Sequence, residues 1–165
     1  MPFPRLTSAV ALFAAPFALV SCADPAPLYV DQAWVKTNAN PEAPAAGYFT
    51  VHGGEQAVKL LRVTTDGALR VEMHESVMKD GMMTMEPMDS VDIPAKTDVK
   101  FAPGGKHVML FGLNPAVAET GKLTFTMLFS NGDRLIVDAP IQQAGTDAGA
   151  MGNMAMPDNG IETGK

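Results

Sequence analysis

The sequence predicts an all-β domain built as an antiparallel β-sandwich or barrel. Segments that alternate apolar and polar residues recur about every ten residues, separated by turns containing Gly, Pro and Asn, a spacing typical of such folds. No long stretch has helical periodicity. The chain has 165 residues and, less a targeting segment and a tail, has room for one domain with a single core.

Residues 1–23 have the pattern of a secretory signal peptide. One basic residue precedes an uncharged run of apolar and small residues, which is too short, and too soon followed by polar sequence, to be a spanning helix. The end of the run fits two cleavage signals. The letters LVSC match a bacterial lipobox, which makes Cys22 a lipid-modified first residue and membrane anchor, whereas SCA fits cleavage after Ala23 without a lipid. Both alternatives predict an exported protein.

The first half of the domain, which we place at residues 24–143, contains three predicted strands and a hairpin. The segments LYVDQAWVKT, GYFTVHG and AVKLLRVTTD are predicted as the first three strands. LRVEMHESVM and MMTMEPM form the hairpin, because Asp80 and Gly81 between them are a favoured turn pair. Trp34 and Tyr48 are expected in the core, because large aromatic side chains bury most of their surface.

The second half contains short segments followed by three longer strands. VDIPAKTDVKFAPGG is predicted to form edge segments, because Pro94 and Pro103 do not belong in a central strand. The strand KHVMLFGL, the loop NPAVAETG and the closing strands KLTFTMLFS and RLIVDAPIQQ follow. Residues 144–165 are rich in Gly, Ala and Asn and poor in large aliphatic residues, so this segment is predicted to be a flexible tail.

Composition excludes several classes of function. The chain has 12 Lys and Arg against 18 Asp and Glu, a net charge of -6, which argues against nucleic acid or an anionic lipid surface as a partner. The acidic residues form no pair that suggests catalysis, and we expect no enzyme activity. The only cysteine is Cys22. The domain therefore has no thiol redox pair and no thiolate metal site, including the blue-copper type that would suit electron transfer.

Two histidines and two methionines form the candidate site. On the strand KHVMLFGL, His107, Met109 and Phe111 point to one side and the aliphatic residues to the other. On the hairpin, His74 lies on the polar face of its strand, and the return strand carries Met85. Two imidazoles and two thioethers, without a carboxylate or thiolate at matching positions, form a soft, neutral ligand set. Such a set suits Cu(I) better than Zn²⁺, Mg²⁺ or Ca²⁺.

The spacing of these four residues resembles the signature of the PCuAC family of periplasmic copper chaperones. His74 is followed by ten residues, Met85, twenty-one residues, and then His107-x-Met109. The similarity extends through DQAWVKT, AAGYFTVHG, HESVMKDGMMTMEPM, PGGKHVMLFGL and LTFTMLFSNGD, which together cover about residues 28–141. His52 departs from the resemblance, because we expect asparagine there in the family.

The resemblance implies a cupredoxin-like β-sandwich that binds one Cu(I) ion through His74, Met85, His107 and Met109 near one rim. It also implies a periplasmic protein that hands copper on toward the dinuclear centre of cytochrome c oxidase, with subunit II of the oxidase or an assembly factor as the recipient. We expect a monomer. Two alternatives stay open: a protein for copper sequestration or tolerance, and a sandwich that binds no metal.

The remaining methionines are given lesser roles. Those of the tail are predicted to form a weak auxiliary Cu(I) site, because tethering raises the local concentration of ligands; they are Met151, Met154 and Met156. Those of the hairpin are expected to be core or rim residues, because methionine fills irregular gaps; they are Met73, Met78, Met82, Met83 and Met88. His52 is expected to be a polar residue at the end of a strand.

Overall fold

The computed structural model describes residues 25–40 and 42–143, and these form ten strands and one short helix. The first five strands are β1 (Tyr29–Lys36), β2 (Ala45–His52), β3 (Val58–Thr64), β4 (Ala68–Lys79) and β5 (Met82–Met88). The remaining elements are β6 (Val91–Ile93), β7 (Asp98–Phe101), β8 (Lys106–Leu113), α1 (Pro115–Glu119), β9 (Lys122–Phe129) and β10 (Arg134–Gln142). The predicted all-β class is confirmed. The predictions for the signal segment, Cys22 and the tail residues Met151, Met154 and Met156 lie outside the described residues.

The ten strands form one sheet in which β1 and β10 join two halves. The order is β5-β4-β8-β7-β2-β1-β10-β9-β3-β6, with β8 also pairing with β2. Most neighbours are antiparallel, as predicted, but β7 and β8 are parallel, and so are β1 and β10, with Val35 opposite Ile141 and Lys36 opposite Gln142. The sequence pattern is silent on this point, because side chains alternate between faces in the same way in both kinds of pairing.

The core lies between the two halves, which pack face to face as a sandwich. The ring of Phe49 on β2 lies 6.2 Å, centroid to centroid, from the ring of Phe125 on β9. Gly47 approaches the same ring so closely that a Cβ atom there would lie 2.7 Å from it. The largest fully buried side chains come from both halves and are Val35, Phe49, Val51, Leu60, Ile93, Val108, Leu110, Leu123, Phe125, Met127 and Phe129.

The segment between the hairpin and β8 provides one edge strand and one strand inside the sheet. Among the described residues, β6 pairs with β3 alone and ends the sheet, as predicted. In contrast, β7 pairs with residues 49–52 of β2, while residues 45–47 of β2 pair with β8. The short strand β7 and the first half of the longer β8 therefore share one edge of β2. Pro94 and Pro103 both lie outside the strands, as expected for a residue that cannot donate to the ladder.

The helix α1 lies in the segment predicted as a loop. Asn114 caps it, because its side-chain oxygen accepts a hydrogen bond of 3.0 Å from the N–H of Ala116, and Pro115 suits the first turn. A single turn is too short to show a periodicity, which explains why the sequence pattern indicated a loop. Within the described ranges, no helix is long and apolar enough to cross a membrane.

The prediction that Trp34 lies in the core is wrong. Trp34 is half-buried and lies opposite Tyr48 across β1 and β2, with the two ring centroids 4.5 Å apart. Tyr48 is buried, and this burial raises the pKa of its hydroxyl above the ordinary value. Both side chains alternate with the core residues Val35 and Phe49, so they cover the outside of the sheet.

Candidate metal centre

The cross-strand register of β4 and β8 brings His74 and His107 together. The two residues are directly opposite each other, and their ring centroids are 6.1 Å apart with the planes inclined at 27°. On β8, Val108 and Leu110 are fully buried, so the alternate residues His107 and Met109 point away from the core. We call this side of β4, β5 and β8 the outer face.

The other two predicted ligands lie on the outer face, on either side of the histidine pair. Met109 is opposite Glu72 of β4, two residues along the strands from the histidine pair. Met85 is opposite Ser76 of β4, two residues from His74 in the other direction. Diagonal neighbours in a sheet are about 7–8 Å apart, and methionine, with three rotatable bonds, can cover such a gap. The structure thus gathers the four residues on one face, while their role in binding a metal stays a prediction.

The four side chains differ in their exposure to solvent. His107 is 4% exposed, whereas Met85 is 59% exposed. His74 and Met109 are half-buried. The site is therefore closed on the side of β8 and open on the side of the hairpin, where an ion or a partner protein can reach it.

Each histidine has one ring nitrogen that forms a hydrogen bond and one bare nitrogen, which has no hydrogen-bond partner. His107 donates from Nδ1 to the carbonyl oxygen of Gly105 at 2.9 Å, and His74 donates from Nε2 to the carboxylate of Glu72 at 3.1 Å. Within the described part of the chain, His74 Nδ1 and His107 Nε2 are buried and have no hydrogen-bond partner. A buried, unsatisfied polar atom is unfavourable by about 1–3 kcal/mol. Two such atoms on neighbouring rings have lone pairs that are free to coordinate a metal ion.

The groups that orient the two rings are themselves held in place. The carbonyl oxygen of Gly105 also accepts a hydrogen bond of 3.1 Å from the backbone N–H of Ser76. The carboxylate of Glu72 forms an ion pair with Arg70, whose Nε is 3.2 Å away. The Arg70 guanidinium lies 4.2 Å from the ring centroid of Phe111. Such outer contacts fix the tautomer and direction of a ligating imidazole.

The donor set at this place is made of nitrogen and sulfur. Across residues 25–40 and 42–143, no group of three or more His, Cys, Asp or Glu side chains is arranged to hold a metal. The outer face instead offers two imidazoles and two thioethers, which are soft, neutral donors of the kind that Cu(I) prefers.

Sequence reasoning missed the two groups that orient the histidines. Glu72 could have been identified from the sequence, because it precedes His74 by two residues and therefore shares its face of the strand. The Gly105 carbonyl carries no signal in the sequence, because a backbone oxygen is present at every residue. Only the turn before β8 directs this one toward His107.

His52 forms a separate cluster at the end of β2. Its Nδ1 lies 2.7 Å from Asp98 Oδ1, and its Nε2 lies 2.8 Å from Asp31 Oδ1. Its ring stacks on Tyr29 at 4.2 Å between centroids. When the ring is protonated, both of its nitrogens donate, one to each carboxylate. The hydrogen bond to Asp31, reinforced by Asp98, raises the pKa of His52 above the ordinary value of 6.5.

This cluster predicts a stability that depends on pH. Because the pKa of His52 is raised by folding, its contribution is complete below the ordinary pKa and is lost as the pH rises through the folded value. We expect His52→Asn to remove about 1 kcal/mol of stability at pH ~5.5 and progressively less toward pH ~9. Urea unfolding of both proteins across this range measures the difference, in which titrating groups remote from His52 cancel. A difference that stays constant with pH would contradict the prediction.

Several solved structures of PCuAC domains are similar to this fold. The copper-bound PCuAC domain from PmoF2 is 20% identical and matches with a TM-score of 0.55, covering 73% of this chain and 99% of that one. The apo PCuAC domain from PmoF1 is 24% identical, with a TM-score of 0.58 and coverage of 73% and 98%. The Cu(I) form of DR1885 from Deinococcus radiodurans is 26% identical, with a TM-score of 0.58 and coverage of 77% and 86%. The chain therefore shares the fold of these domains.

Two further comparisons concern the sequence itself. A family model described as "Putative lipoprotein LpqE-like" matches residues 28–141, which is nearly the whole described domain. A protein of Leifsonia xyli subsp. xyli (strain CTCB07), named a "Putative lipoprotein", is 33% identical over 114 residues, which make up 68% of this chain and 68% of that protein. On these two findings, the chain belongs to the LpqE-like lipoprotein family.

Proposed function

We propose that this protein is a copper chaperone that binds one Cu(I) ion through His74, Met85, His107 and Met109. The observation that carries the proposal is the pair of bare, buried nitrogens on the two facing histidines. Each is the free end of a ring whose other nitrogen is held by a hydrogen bond. The similarity to a copper-bound PCuAC domain and to the Cu(I) form of DR1885 supports copper as the ion.

The chemistry of the donors favours transfer of the ion. Imidazole and thioether are neutral, so the occupied site keeps a positive charge and holds Cu(I) less tightly than thiolates would. Thioethers also cannot form the disulfides that disable thiols in an oxidising compartment. We propose a binding protein and not an enzyme, because imidazoles whose lone pairs are bound to Cu(I), together with thioethers, leave neither a nucleophile nor a general base at the site.

The exposure of Met85 favours delivery over storage. A recipient protein must contact the ion and replace one ligand at a time, and the sulfur at the open side of the site belongs to a side chain that is 59% exposed. As the recipient we propose the dinuclear copper centre of cytochrome c oxidase, reached through subunit II or an assembly factor. The recipient is inferred from the resemblance to the PCuAC family.

A Cu(I) titration of the chain from residue 24 onward tests the proposal. Under anaerobic, reducing conditions and against a coloured Cu(I) chelator, we expect one tightly bound equivalent that Zn²⁺ does not displace. A peptide with two free thiols should then remove the ion, because thiolates bind Cu(I) more strongly. Failure to bind a stoichiometric equivalent would contradict copper binding. Retention of the ion in the presence of excess thiol peptide would instead favour sequestration.

We propose further that the mature protein is exported and held at a membrane through lipid on Cys22. The LVSC letters before the domain and the lipoprotein description of the family support this. Cys22→Ser removes the acceptor thiol, so the variant should leave the membrane fraction and appear in the soluble periplasmic fraction. Fractionation with an antibody against the domain measures this. A wild-type protein that is already soluble and begins at Asp24 would overturn the anchor.

A further inference from the structure

The β4–β5 hairpin extends beyond the rest of the sheet. The pairing of β4 with β8 ends at Glu75, which is opposite Lys106. Beyond the hydrogen bond from the Ser76 N–H to the Gly105 carbonyl, within the described residues, β4 pairs with β5 alone. Residues 76–85 therefore form a two-stranded arm, closed by Asp80 and Gly81, whose positive φ angles of 50° and 78° suit a tight turn. The arm begins where the histidine pair ends.

The two faces of the arm differ in chemistry. Met78 lies directly opposite Met83, on the same face as Met85 and the histidines. The other face carries Met82, opposite Lys79, and the ion pair between Lys79 and Glu86. Because cross-strand neighbours share a face, the thioethers of one side form a line from the turn to the candidate site.

The thioethers of this line are exposed, although nothing in the packing of the core requires them there. Met78 is 66% and Met83 is 61% exposed, whereas methionine is usually among the more buried residue types. Leucine, isoleucine or phenylalanine would be equally exposed at these positions and would gain nothing from burial. Apolarity alone therefore does not explain why methionine is found there. What methionine adds is a sulfur atom that coordinates soft metal ions.

The geometry allows three sulfurs to meet on one ion. Met78 and Met83 are directly opposite, with Cβ atoms about 4.5–5.5 Å apart. Met83 and Met85 are two residues apart on one strand, which separates them by about 7 Å. Met85 thus lies between the pair formed by Met78 and Met83 and the histidine pair, and its sulfur is within reach of both.

We propose that Met78, Met83 and Met85 form an outer Cu(I) station through which the ion enters and leaves the inner site. The proposal rests on the proposed function, since it concerns the route to that same site. Met85 belongs to both ligand sets and keeps its bond to copper while the sulfurs of Met78 and Met83 are exchanged for the two imidazoles, and the sulfur of Met109 then binds as the fourth ligand. The ion stays Cu(I) throughout, so no electron is transferred. Three thioethers without an imidazole hold Cu(I) more weakly than the inner set, so the station is occupied only in passing.

The test compares two variants that differ in the face they alter. The double variant Met78→Leu/Met83→Leu removes both sulfurs from the outer face and keeps the apolar volume, so folding changes little. The control Met82→Leu removes a sulfur from a methionine of similar exposure, 68%, on the opposite face of the same arm. The chain from residue 24 onward is loaded in a stopped-flow experiment from a complex of Cu(I) with a small chelator, so that no partner protein needs to dock.

We expect the double variant to load and unload about tenfold more slowly than the parent, since the barrier to ligand exchange rises when the intermediate station is lost. Its Cu(I) stoichiometry and equilibrium affinity should match those of the parent, and Met82→Leu should match the parent in every respect. Equal rates for the parent and the double variant would overturn the station. A loss of equilibrium binding in the double variant would also overturn it, because Met78 and Met83 would then be ligands of the inner site.

A failure of the proposed function has a different result in the same experiment. If the parent itself takes up no stoichiometric Cu(I), the copper site is wrong and the station falls with it. If the parent binds one equivalent and the double variant loads at the same rate, only the station is wrong. A double variant that is slowed only when a protein acceptor replaces the chelator would identify the outer face as a docking surface, and it would likewise overturn the station.

Discussion

Replacing His107 with alanine is expected to lower the affinity for Cu(I) by more than about 100-fold. Loss of a contact that merely orients a ligand typically weakens metal binding by about 10–100-fold, and His107 is proposed to be a ligand itself. Its Nε2 is bare and buried, and no other imidazole of the described chain lies beside His74. A competition titration with a Cu(I) chelator measures the affinity of parent and variant.

Met109→Leu is also expected to lower the affinity for Cu(I), and it disturbs the fold less than His107→Ala. His107 is buried, so His107→Ala leaves a cavity, whereas exchange of methionine for leucine typically changes stability by less than about 1.5 kcal/mol. Met109→Leu should therefore keep the circular dichroism spectrum of the parent and still lose most of its Cu(I) affinity. Met82→Leu, on the other face of the hairpin, serves as the control. If both ligand variants bind Cu(I) as tightly as the parent, the site lies elsewhere.

Replacing Phe125 with alanine is expected to lower the free energy of unfolding by about 3–5 kcal/mol. Phe125 is fully buried and is the contact through which β9 of one half meets β2 of the other: it lies against Phe49 and beneath Gly47. Its loss leaves a cavity between the two halves, because the paired strands on either side cannot move together to fill it. Urea unfolding, followed by circular dichroism, measures the change.

Two variants make this prediction testable even if the alanine protein does not fold. Phe125→Leu keeps most of the apolar volume and should lose less stability than Phe125→Ala. Phe111→Ala removes a ring that is half-buried on the outer face beneath Arg70, so it should be tolerated better than Phe125→Ala. A loss below about 1 kcal/mol for Phe125→Ala would contradict the face-to-face packing of the two halves at this point.

The predicted strands and the faces of their side chains agree with the structure because both depend on nearby residues. Val108 and Leu110 point inward, and His107 and Met109 point outward, as the alternation of the segment indicates. The hairpin turn at Asp80 and Gly81 was equally predictable, because glycine and aspartate tolerate the positive φ angles that the turn needs. Trp34 was misplaced because hydrophobic size was taken as a measure of burial, whereas its position on β1 directs it to the outer side.

The amino-acid pattern was enough to predict most of the strands, the face on which most of their side chains lie, and the four candidate ligands. The tertiary structure decided which of these faces meet. The register of β4 against β8 places His74 opposite His107, and the parallel pairing of β1 with β10 joins the two halves. It also decided the hydrogen bonds that leave one nitrogen of each histidine bare, and the clamp of Asp31 and Asp98 on His52. The physical reason is that side-chain alternation is a property of one strand, whereas register, burial and hydrogen-bond partners depend on residues far apart in the chain.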